Sequence, residues 1–386
     1  MLPGRNAKTY LLRFRRGSIR ELFYRLRQEY LFFRLKHRGS PARFLPKVPE
    51  LEEKALEGLQ LPTFEGHLDP GTLKMLMDGG FFSLNGEREI IDQFEEESCS
   101  GFFADLKLGA ETPDIRMVWE PARLQHITVL LFSSTLNGGV ESGAEAIARA
   151  KNFLFEWMKK NPFPFGPHYI SAMECGLRIP VFIYALKTMK LSATERREIL
   201  DSLHCHAWWV SKRLSLYSSG GNHTVSECLG LVFAGMVFRS FPEGAQWLSF
   251  GVETLRREIL NQILPDGGPV EQSLGYHRFI LDLYWLVLDF LKKNGIDLHL
   301  EWRPLLDSGE RFLEAFRDGS YLPAIGDSDD GFAVAPGMHP VRADSTRGEH
   351  GSTEPGAELN RPGRKVPGAR SQQNGISPNA GFIKSL

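Results

Sequence analysis

The sequence predicts an all-α protein in which antiparallel helix pairs form an α/α toroid. Beyond Trp119, apolar residues recur at intervals of three and four, which is the helical period. Short stretches of Gly, Pro and Asn separate these segments, and no strand-like alternation lies between them. Helices that follow one another in this way stack as antiparallel pairs, and the successive pairs are too dissimilar for a regular solenoid.

Seven helices are predicted in this region. The first covers residues 145–160 and ends at Asn161-Pro162, because proline cannot continue a helix. The clearest begins after His223, where a stripe of apolar residues must face a core. That stripe consists of Val225, Cys228, Leu229, Val232, Phe233, Met236 and Val237. The remaining predicted helices cover residues 171–187, 192–214, 244–264, 273–293 and 302–317.

The predicted toroid occupies residues 67–336, between an N-terminal arm at 1–66 and a tail at 337–386. The arm ends in an irregular linker that contains prolines. The tail consists mostly of Gly, Pro, Ser, Arg and Glu without apolar periodicity, which predicts disorder. Within the toroid, Asn85-Gly86 between short apolar runs of residues 81–103 predicts a small hairpin.

The N-terminal arm is rich in arginine and contains one amphipathic segment. Its apolar residues Ile19, Leu22, Phe23 and Leu26 have helical spacing. A basic amphipathic helix suits either an anionic membrane surface or docking on its own protein. The arm lacks the apolar core of a secretory signal, and no apolar run reaches the roughly eighteen residues of a membrane span. We therefore expect no transmembrane segment and a cytoplasmic location.

Composition and charge exclude several classes of protein. Hydrophobic residues make up 42% and charged residues 24%, which excludes the disordered, collagenous and membrane classes. Because the net charge is -1, only a local cluster of basic groups would attract a polyanion, and nucleic acid is not an expected partner. His204-Cys205-His206 is the nearest approach to a metal motif, but residues two apart point to different sides of a helix. We expect buried free thiols, no metal and no cofactor.

Three polar loops contain the candidate site residues. Asn222-His223 follows a Ser/Gly loop at a helix start, where free N–H groups favour anions, although Asn222 also suits a simple N-cap. Residues 265–273 lead directly into Tyr276-His277. Taken by themselves, these two residues fit an aromatic side chain that anchors the helix and a histidine whose hydrogen bonds are all made within the protein. The acidic loop at 323–331 lacks the spacing of an EF-hand and predicts a loop that orients neighbouring basic groups.

Two acid–base pairs have the spacing of one helical turn, namely Glu120 with Arg123 and Glu174 with Arg178. Such pairs are commonly surface ion pairs. Together with the three loops, however, they match the pattern of one family. The residues that match are Trp119-Glu120-Pro121-Ala122-Arg123, Ser171-Ala172-Met173-Glu174 with Arg178, Gly221-Asn222-His223 with Glu227, Asp266-Gly267 through Glu271-Gln272-Ser273 to Tyr276-His277, and Gly326-Asp327-Ser328-Asp329-Asp330-Gly331.

On these residues the chain resembles the heparinase II/III-like polysaccharide lyases and their alginate-lyase relatives. The resemblance implies an incomplete α/α toroid, followed by a β-sandwich, with the active-site cleft between them. It also implies β-elimination at a uronic acid, in which a base removes the proton α to the carboxylate and the 4-linked sugar leaves. The developing enolate then requires preorganised donors.

The resemblance implies a role for each site residue. Asn222, helped by His223, would neutralise the uronate carboxylate, and Tyr276 would give a proton to the leaving oxygen and, for some stereochemistries, remove the α-proton. A cation at His277 or His223 would depress the pKa of the tyrosine, and Glu227 would orient His223. The implied substrate-binding residues are Arg123, Glu174, Arg178, Glu227, Glu271, Gln272 and His277, of which Arg178 or Arg123 would hold sugar carboxylates.

Several alternatives stay open, because the chain ends at Leu386 before a β-sandwich of that family. The expected partner is an acidic polysaccharide of the heparan, alginate or exopolysaccharide type, and a separate chain could supply the sandwich. The chain could instead be truncated, or be a glycan-binding remnant without activity. An α/α-toroid glycoside hydrolase would use Asp266 and Glu271 as its carboxylate pair. The groove of a binding module would be lined by Trp208, Trp209 and Trp285.

Overall fold

The computed structural model describes residues 18–37, 56–65, 70–82, 88–90, 101–106, 115–136, 143–217, 220–319, 322–327, 331–334 and 338–340. Within these ranges the structure is predominantly helical, and the predicted all-α toroid is confirmed. The helices are α1 (Ile19–His37), α2 (Pro70–Met77), α3 (Ile115–Ala122), α4 (Gln125–Leu136), α5 (Gly143–Lys160), α6 (Ala172–Thr188), α7 (Ala193–Arg213), α8 (Asn222–Val237), α9 (Pro242–Gln262), α10 (Leu274–Lys293) and α11 (His299–Glu314). The short strands are β1 (Phe64–Glu65), β2 (Gly80–Phe82), β3 (Arg88–Ile90) and β4 (His339–Pro340).

The seven helices predicted beyond Trp119 are present as α5 to α11 with small shifts of their ends, whereas α2, α3 and α4 were not predicted. The largest shift is in α11, which begins at His299, three residues before the predicted start. The cause is Asp297, whose Oδ1 accepts a hydrogen bond of 2.8 Å from the His299 N–H and so begins the helix earlier. The predicted hairpin is also confirmed, since β2 and β3 pair antiparallel on either side of Asn85-Gly86.

Helices α4, α6, α8 and α10 run parallel to one another and form the inner layer of the toroid. Each neighbouring pair of these helices makes one contact near the two helix starts and a second contact further along both helices, which requires that the two helices run in the same direction. The contacting pairs are Arg123 and Glu174, Phe132 and Tyr184, Gly176 and Ser226, Ile179 and Gly230, Asn222 and Glu271, and Phe233 and Phe290. Helices α5, α7, α9 and α11 each follow one inner helix and pack against it. The described residues therefore form four helix pairs, which is the predicted incomplete toroid.

The two central inner helices, α6 and α8, are buried around almost their whole circumference. They approach closely at two glycines. A Cβ atom added at Gly230 would lie 2.7 Å from the Cα of Gly176, and one added at Gly176 would lie 2.7 Å from the carbonyl oxygen of Ser226. Because real Cβ atoms do not approach other atoms so closely, this crossing requires glycine at both positions.

Replacing Gly230 by Ala should therefore destabilise the protein, although alanine favours a helix. We expect a loss of about 1–3 kcal/mol, because the methyl group would push the backbones of α6 and α8 apart. Urea unfolding would measure the loss. Gly220→Ala is the matched control, since a Cβ at Gly220 meets nothing within 4 Å. Equal stabilities of the two variants would contradict this account of the crossing.

The N-terminal arm contacts the toroid through α1 and through residues 56–62, whose backbone carbonyls accept hydrogen bonds from α6 and from the end of α10. On α1, Phe32 is buried with its ring 6.0 Å from that of Trp209, and the Tyr24 hydroxyl donates to the carbonyl of Leu214 at 2.7 Å. Of the two options predicted for this helix, docking on its own protein is thus present. Further along, β1 pairs antiparallel with β4. None of the helices in the described ranges is long and apolar enough to cross a bilayer.

The domain boundaries at residues 66 and 336 stay predictions. Strand β1 belongs to the predicted arm and β4 to the predicted tail, and the two pair with each other. Of the tail, the structure describes only residues 338–340, so the predicted disorder of residues 341–386 falls outside the described part of the chain.

Candidate functional site

The catalytic candidates lie at one end of the toroid, where the parallel inner helices begin. Arg123 precedes α4, Glu174 lies in the first turn of α6, Asn222 and His223 begin α8, and Tyr276 lies in the first turn of α10. We call these five residues the N-terminal rim. Helix N-termini carry free backbone N–H groups and the positive end of the helix dipole. This end of the toroid therefore suits an anionic ligand.

Asn222 is held at the start of α8 by Glu271. Oε1 of Glu271 accepts a hydrogen bond from the Asn222 backbone N–H at 2.8 Å, and Oε2 accepts one from Nδ2 at 2.9 Å. Gly221 makes room for the carboxylate, because its φ is 90° and a Cβ there would meet Oε1 of Glu271. Glu271 thus caps α8 and fixes the Asn222 amide. This is a positioning role, whereas the resemblance implied that Glu271 binds substrate.

Arg123 and Glu174 form a buried bidentate ion pair between α4 and α6. Arg123 Nε donates to Oε2 at 2.8 Å and Nη2 donates to Oε1 at 3.1 Å, and the two residues are only 5% and 2% exposed. Burial alone would raise the pKa of Glu174, but the charges of Arg123, Arg178 and His223 outweigh it and hold that pKa below its usual value. The pair therefore joins two helices of the rim, whereas the sequence spacing suggests partners within one helix.

Arg178 is fully buried, and its guanidinium donates to protein groups. The acceptors are Nε2 of His206 at 3.1 Å, the carbonyl of Ala122 at 3.0 Å and the carbonyl of His168 at 2.5 Å. The guanidinium also lies 5.0 Å from the centre of the Trp157 ring. The prediction that Arg178 holds a sugar carboxylate is wrong for this structure, because the side chain does not reach solvent. Arg178 instead ties α6 to α7 and to the end of α3.

Glu227 is buried one turn after His223 and binds the loop that precedes α8. The backbone N–H of Ser215 donates to Oε2 at 2.6 Å, and the Ser215 hydroxyl donates to Oε1 at 2.7 Å. Burial raises the pKa of Glu227 to about 8, although the hydrogen bonds from Ser215 and the charge of Arg213 lower it. The roles predicted for Glu227, orienting His223 and binding substrate, are replaced by this structural one. Ser215 was not a sequence candidate, since no local spacing links it to Glu227.

Replacing Glu227 by Gln should change how stability depends on pH. The pKa of Glu227 is about 8 in the folded protein and 4.5 for an unperturbed carboxyl group, so ionisation on raising the pH costs folded-state stability. The wild type should lose on the order of 3–5 kcal/mol relative to the variant between about pH 4.5 and pH 8. Urea unfolding of both proteins across this range measures the difference. Parallel pH profiles for the two would contradict the buried, protonated Glu227, and the exposed Glu253→Gln provides the control.

Two further predicted binding residues, His277 and Gln272, lie in opposite surroundings. The His277 ring is fully buried between α10 and α11, beside Gly309 and 6.0 Å from the centre of the Phe312 ring. Burial also lowers its pKa. His277 therefore neither reaches a ligand nor provides a cation for Tyr276, which corrects both predicted roles. Gln272 is exposed, with φ of 53°, in the turn that leads into α10.

Tyr276 and His223 have partly exposed side chains at the rim. The first turn of α10 is held by Ser273, whose hydroxyl accepts a hydrogen bond from the Tyr276 N–H at 3.1 Å and donates to the carbonyl of Asp327. The carbonyl of Ile325 accepts from the first residue of α10. The described part of the acidic loop thus fastens α10 by its backbone. Sequence analysis missed Ser273 as a cap, although it immediately precedes the helix.

The features behind the alternative functions have other structural roles. The tryptophans predicted to line a groove are buried in the core, namely Trp208, Trp209 and Trp285. Asp266 Oδ1 accepts a hydrogen bond from the Gly268 N–H within its own turn, and both carboxylate oxygens of Glu271 accept hydrogen bonds from Asn222. Neither carboxylate is therefore arranged as one of the two catalytic carboxylates of a glycoside hydrolase. In the part of the chain that the structure describes, no three His, Cys, Asp or Glu side chains are grouped as metal ligands.

Comparison with known proteins gives a match to one family model. Residues 140–302 match the model described as Heparinase II/III N-terminus. The matched stretch extends from just before α5 into α11. It therefore contains the rim residues Glu174, Asn222, His223 and Tyr276, and it leaves out Arg123.

Curated relatives with similar sequences are named heparin-sulfate lyases. The one from Bacteroides stercoris is 34% identical over 124 residues, which is 32% of this chain and 18% of the relative. The one from Pedobacter heparinus is 28% identical over 227 residues, which is 55% of this chain and 33% of the relative. Among solved structures, a crystal structure of heparinase III has a TM-score of 0.48 and 19% identity, over 72% of this chain and 40% of that one. The matches thus span less than half the length of each of these proteins.

Proposed function

The helical domain of this chain is heparinase II/III-like, and from this we propose that its N-terminal rim binds a uronate-containing acidic polysaccharide and takes part in its cleavage by β-elimination. A glycosaminoglycan is the proposed substrate class, because the curated relatives are named heparin-sulfate lyases. Alginate and bacterial exopolysaccharides are the alternatives that a substrate panel separates.

The observation that carries the proposal is the fixed amide of Asn222. Glu271 accepts one of the two Nδ2 protons, and in the proposal the second proton is donated to the uronate carboxylate. A donor that is oriented before the ligand arrives stabilises developing negative charge well, since it does not have to reorganise during the reaction. The first turn of α8 adds the positive end of a helix dipole at the same position.

The reaction gives Tyr276 and His223 direct roles. A base removes the proton α to the carboxylate, the electron pair forms a carbon–carbon double bond, and the bond to the 4-linked sugar oxygen breaks. Tyr276 donates the proton that this oxygen requires. When the α-proton and the leaving oxygen lie on the same side of the sugar ring, Tyr276 also acts as the base that removes the α-proton. His223 assists Asn222 at the carboxylate. Arg123 and Glu174 position the rim and do not contact the substrate.

Turnover and binding on a panel of polymers would test the proposal. We expect the ultraviolet absorbance of an unsaturated uronate to rise with heparan sulfate, and Asn222→Ala to lower kcat/KM by about 10²–10³-fold, the usual effect of removing an oriented donor. Titration calorimetry with the same polymers measures binding. Asn261→Ala on the exposed side of α9 is the matched control and should keep full activity. The absence of both turnover and binding with every acidic polymer would contradict the proposed function.

A further inference from the structure

A second candidate surface lies on α1, separate from the N-terminal rim. Five large apolar side chains along this helix are between 55% and 73% exposed. Their spacing is four, three, four and three residues, which places them on one face of the helix. They are Ile19, Phe23, Leu26, Tyr30 and Phe33. We call them the α1 stripe. A continuous exposed stripe of this kind indicates an interaction surface, whereas scattered apolar residues do not.

The docking of α1 on the toroid does not use the α1 stripe. The opposite face of the helix is buried through Phe32 and Leu35, and Tyr24 is hydrogen-bonded to the carbonyl of Leu214. Near the end of the helix, Lys36 forms an ion pair of 2.7 Å with Asp105. Because these contacts hold the helix along the toroid surface, the stripe faces outward.

The exposed face of α1 carries only positive charges. Its acidic residues, Glu21 and Glu29, are partly buried, and Glu21 is paired with Arg25 at 2.6 Å. The basic residues that share the exposed face with the α1 stripe are Arg20 and Arg27, while Lys36 is paired with Asp105. Arginines therefore flank apolar side chains along the helix, which is the arrangement of helices that lie in a membrane interface.

The sequence before α1 adds further positive charge. Residues 1–17 contain Arg5, Lys8, Arg13, Arg15 and Arg16 and no Asp or Glu. Up to His37 the chain therefore has ten Lys or Arg residues and two Glu residues, while the whole protein has a net charge of -1. The positive charge is thus concentrated where the apolar stripe is exposed.

We propose that α1 lies in the plane of an anionic lipid bilayer, with the α1 stripe at the acyl boundary and the flanking arginines at lipid phosphates. Each basic residue near such a surface and each buried apolar side chain contributes to binding. A second copy of the chain fits less well, because it would bring two positive faces together. A sulfated polysaccharide would bind the arginines but leave the five apolar side chains in water.

Vesicle sedimentation with the whole chain would test this proposal. We expect binding to vesicles of phosphatidylcholine with one third phosphatidylglycerol, and little binding to phosphatidylcholine alone. Arg20→Gln/Arg27→Gln should weaken binding by about 30-fold, and Phe23→Ser/Leu26→Ser by at least about tenfold. Leu300→Ser is the matched control, since Leu300 on α11 is 99% exposed and should leave binding unchanged.

A tryptophan placed in the α1 stripe reports the depth of the helix once the spectrum of the wild type, which has seven tryptophans, is subtracted. Phe23→Trp should show a blue shift of its fluorescence on anionic vesicles and none on neutral ones. Three results would overturn the proposal: no binding to anionic vesicles, equal binding to neutral vesicles, or binding that the stripe and arginine variants do not change. Arginine-dependent binding to heparin without vesicle binding would assign the face to a polysaccharide, and a concentration-dependent dimer abolished by Phe23→Ser/Leu26→Ser would assign it to a second copy.

Discussion

Tyr276→Phe should lower kcat on heparan sulfate by about 10³-fold and change the substrate Kd by less than about threefold. The phenolic proton is the one that the proposed reaction gives to the leaving oxygen, and general acid–base groups contribute about 10²–10⁴-fold to rates. The ring itself stays, so contacts that depend on its shape persist. The backbone N–H of residue 276 also keeps its hydrogen bond to Ser273. Initial rates from the absorbance of unsaturated uronate, together with calorimetric Kd values, separate the two effects.

Tyr30→Phe serves as the control for the loss of one phenolic hydroxyl. Tyr30 is 58% exposed on α1 and is not one of the N-terminal rim residues. This variant should therefore retain wild-type kcat on soluble polysaccharide. Retention of activity in Tyr276→Phe would remove Tyr276 from the reaction. A loss that appeared only in Kd would make it a binding residue.

Glu174→Leu should destabilise the folded protein by about 3–5 kcal/mol. The substitution leaves the guanidinium of Arg123 buried without its bidentate partner, and an uncompensated buried charge is strongly unfavourable. The double variant Arg123→Met/Glu174→Leu should recover most of the loss, since apolar residues of similar volume often replace a buried pair with little effect. Urea unfolding of both single variants and the double variant gives the coupling free energy.

The exposed pair of Arg256 and Glu301 provides the matched control. Its N–O distance is 2.8 Å, as in the buried pair, but its side chains are 38% and 45% exposed. Exposed pairs contribute about 0–1 kcal/mol, so Glu301→Leu should change stability by less than about 1 kcal/mol. If Glu174→Leu had an effect as small as that of Glu301→Leu, the ion pair would not hold α4 and α6 together.

Most of the helical architecture could be predicted from the sequence because apolar periodicity is a local signal. Helix α8 is the clearest case, since it is buried nearly all round and its apolar residues recur along its whole length. The start of α11 was placed three residues late, because the hydrogen bond from His299 to Asp297 is a capping detail that periodicity does not show. The Gly176–Gly230 crossing joins residues on two helices and has no local sequence signal.

The site could be predicted in part. Asn222 and Tyr276 were placed correctly at helix starts, because polar loops directly precede apolar helices there. Spacing does not show depth, however, and Arg178, Glu227 and His277 proved to be fully buried rather than available to a ligand. Spacing along the sequence also does not show which distant residues pair with each other. Arg123 and Glu174 are 51 residues apart, and Asn222 and Glu271 are 49 apart.

The mass of the reaction products tests the central claim most directly. A size-defined heparan sulfate oligosaccharide would be incubated with the protein, and the two fragments would be measured by mass spectrometry. β-Elimination predicts fragments whose masses sum to that of the substrate, with one fragment carrying the double bond and with no product from Tyr276→Phe. Fragments that together contain one additional water molecule would show hydrolysis, and an unchanged oligosaccharide would show no cleavage; either result would contradict the proposed lyase site.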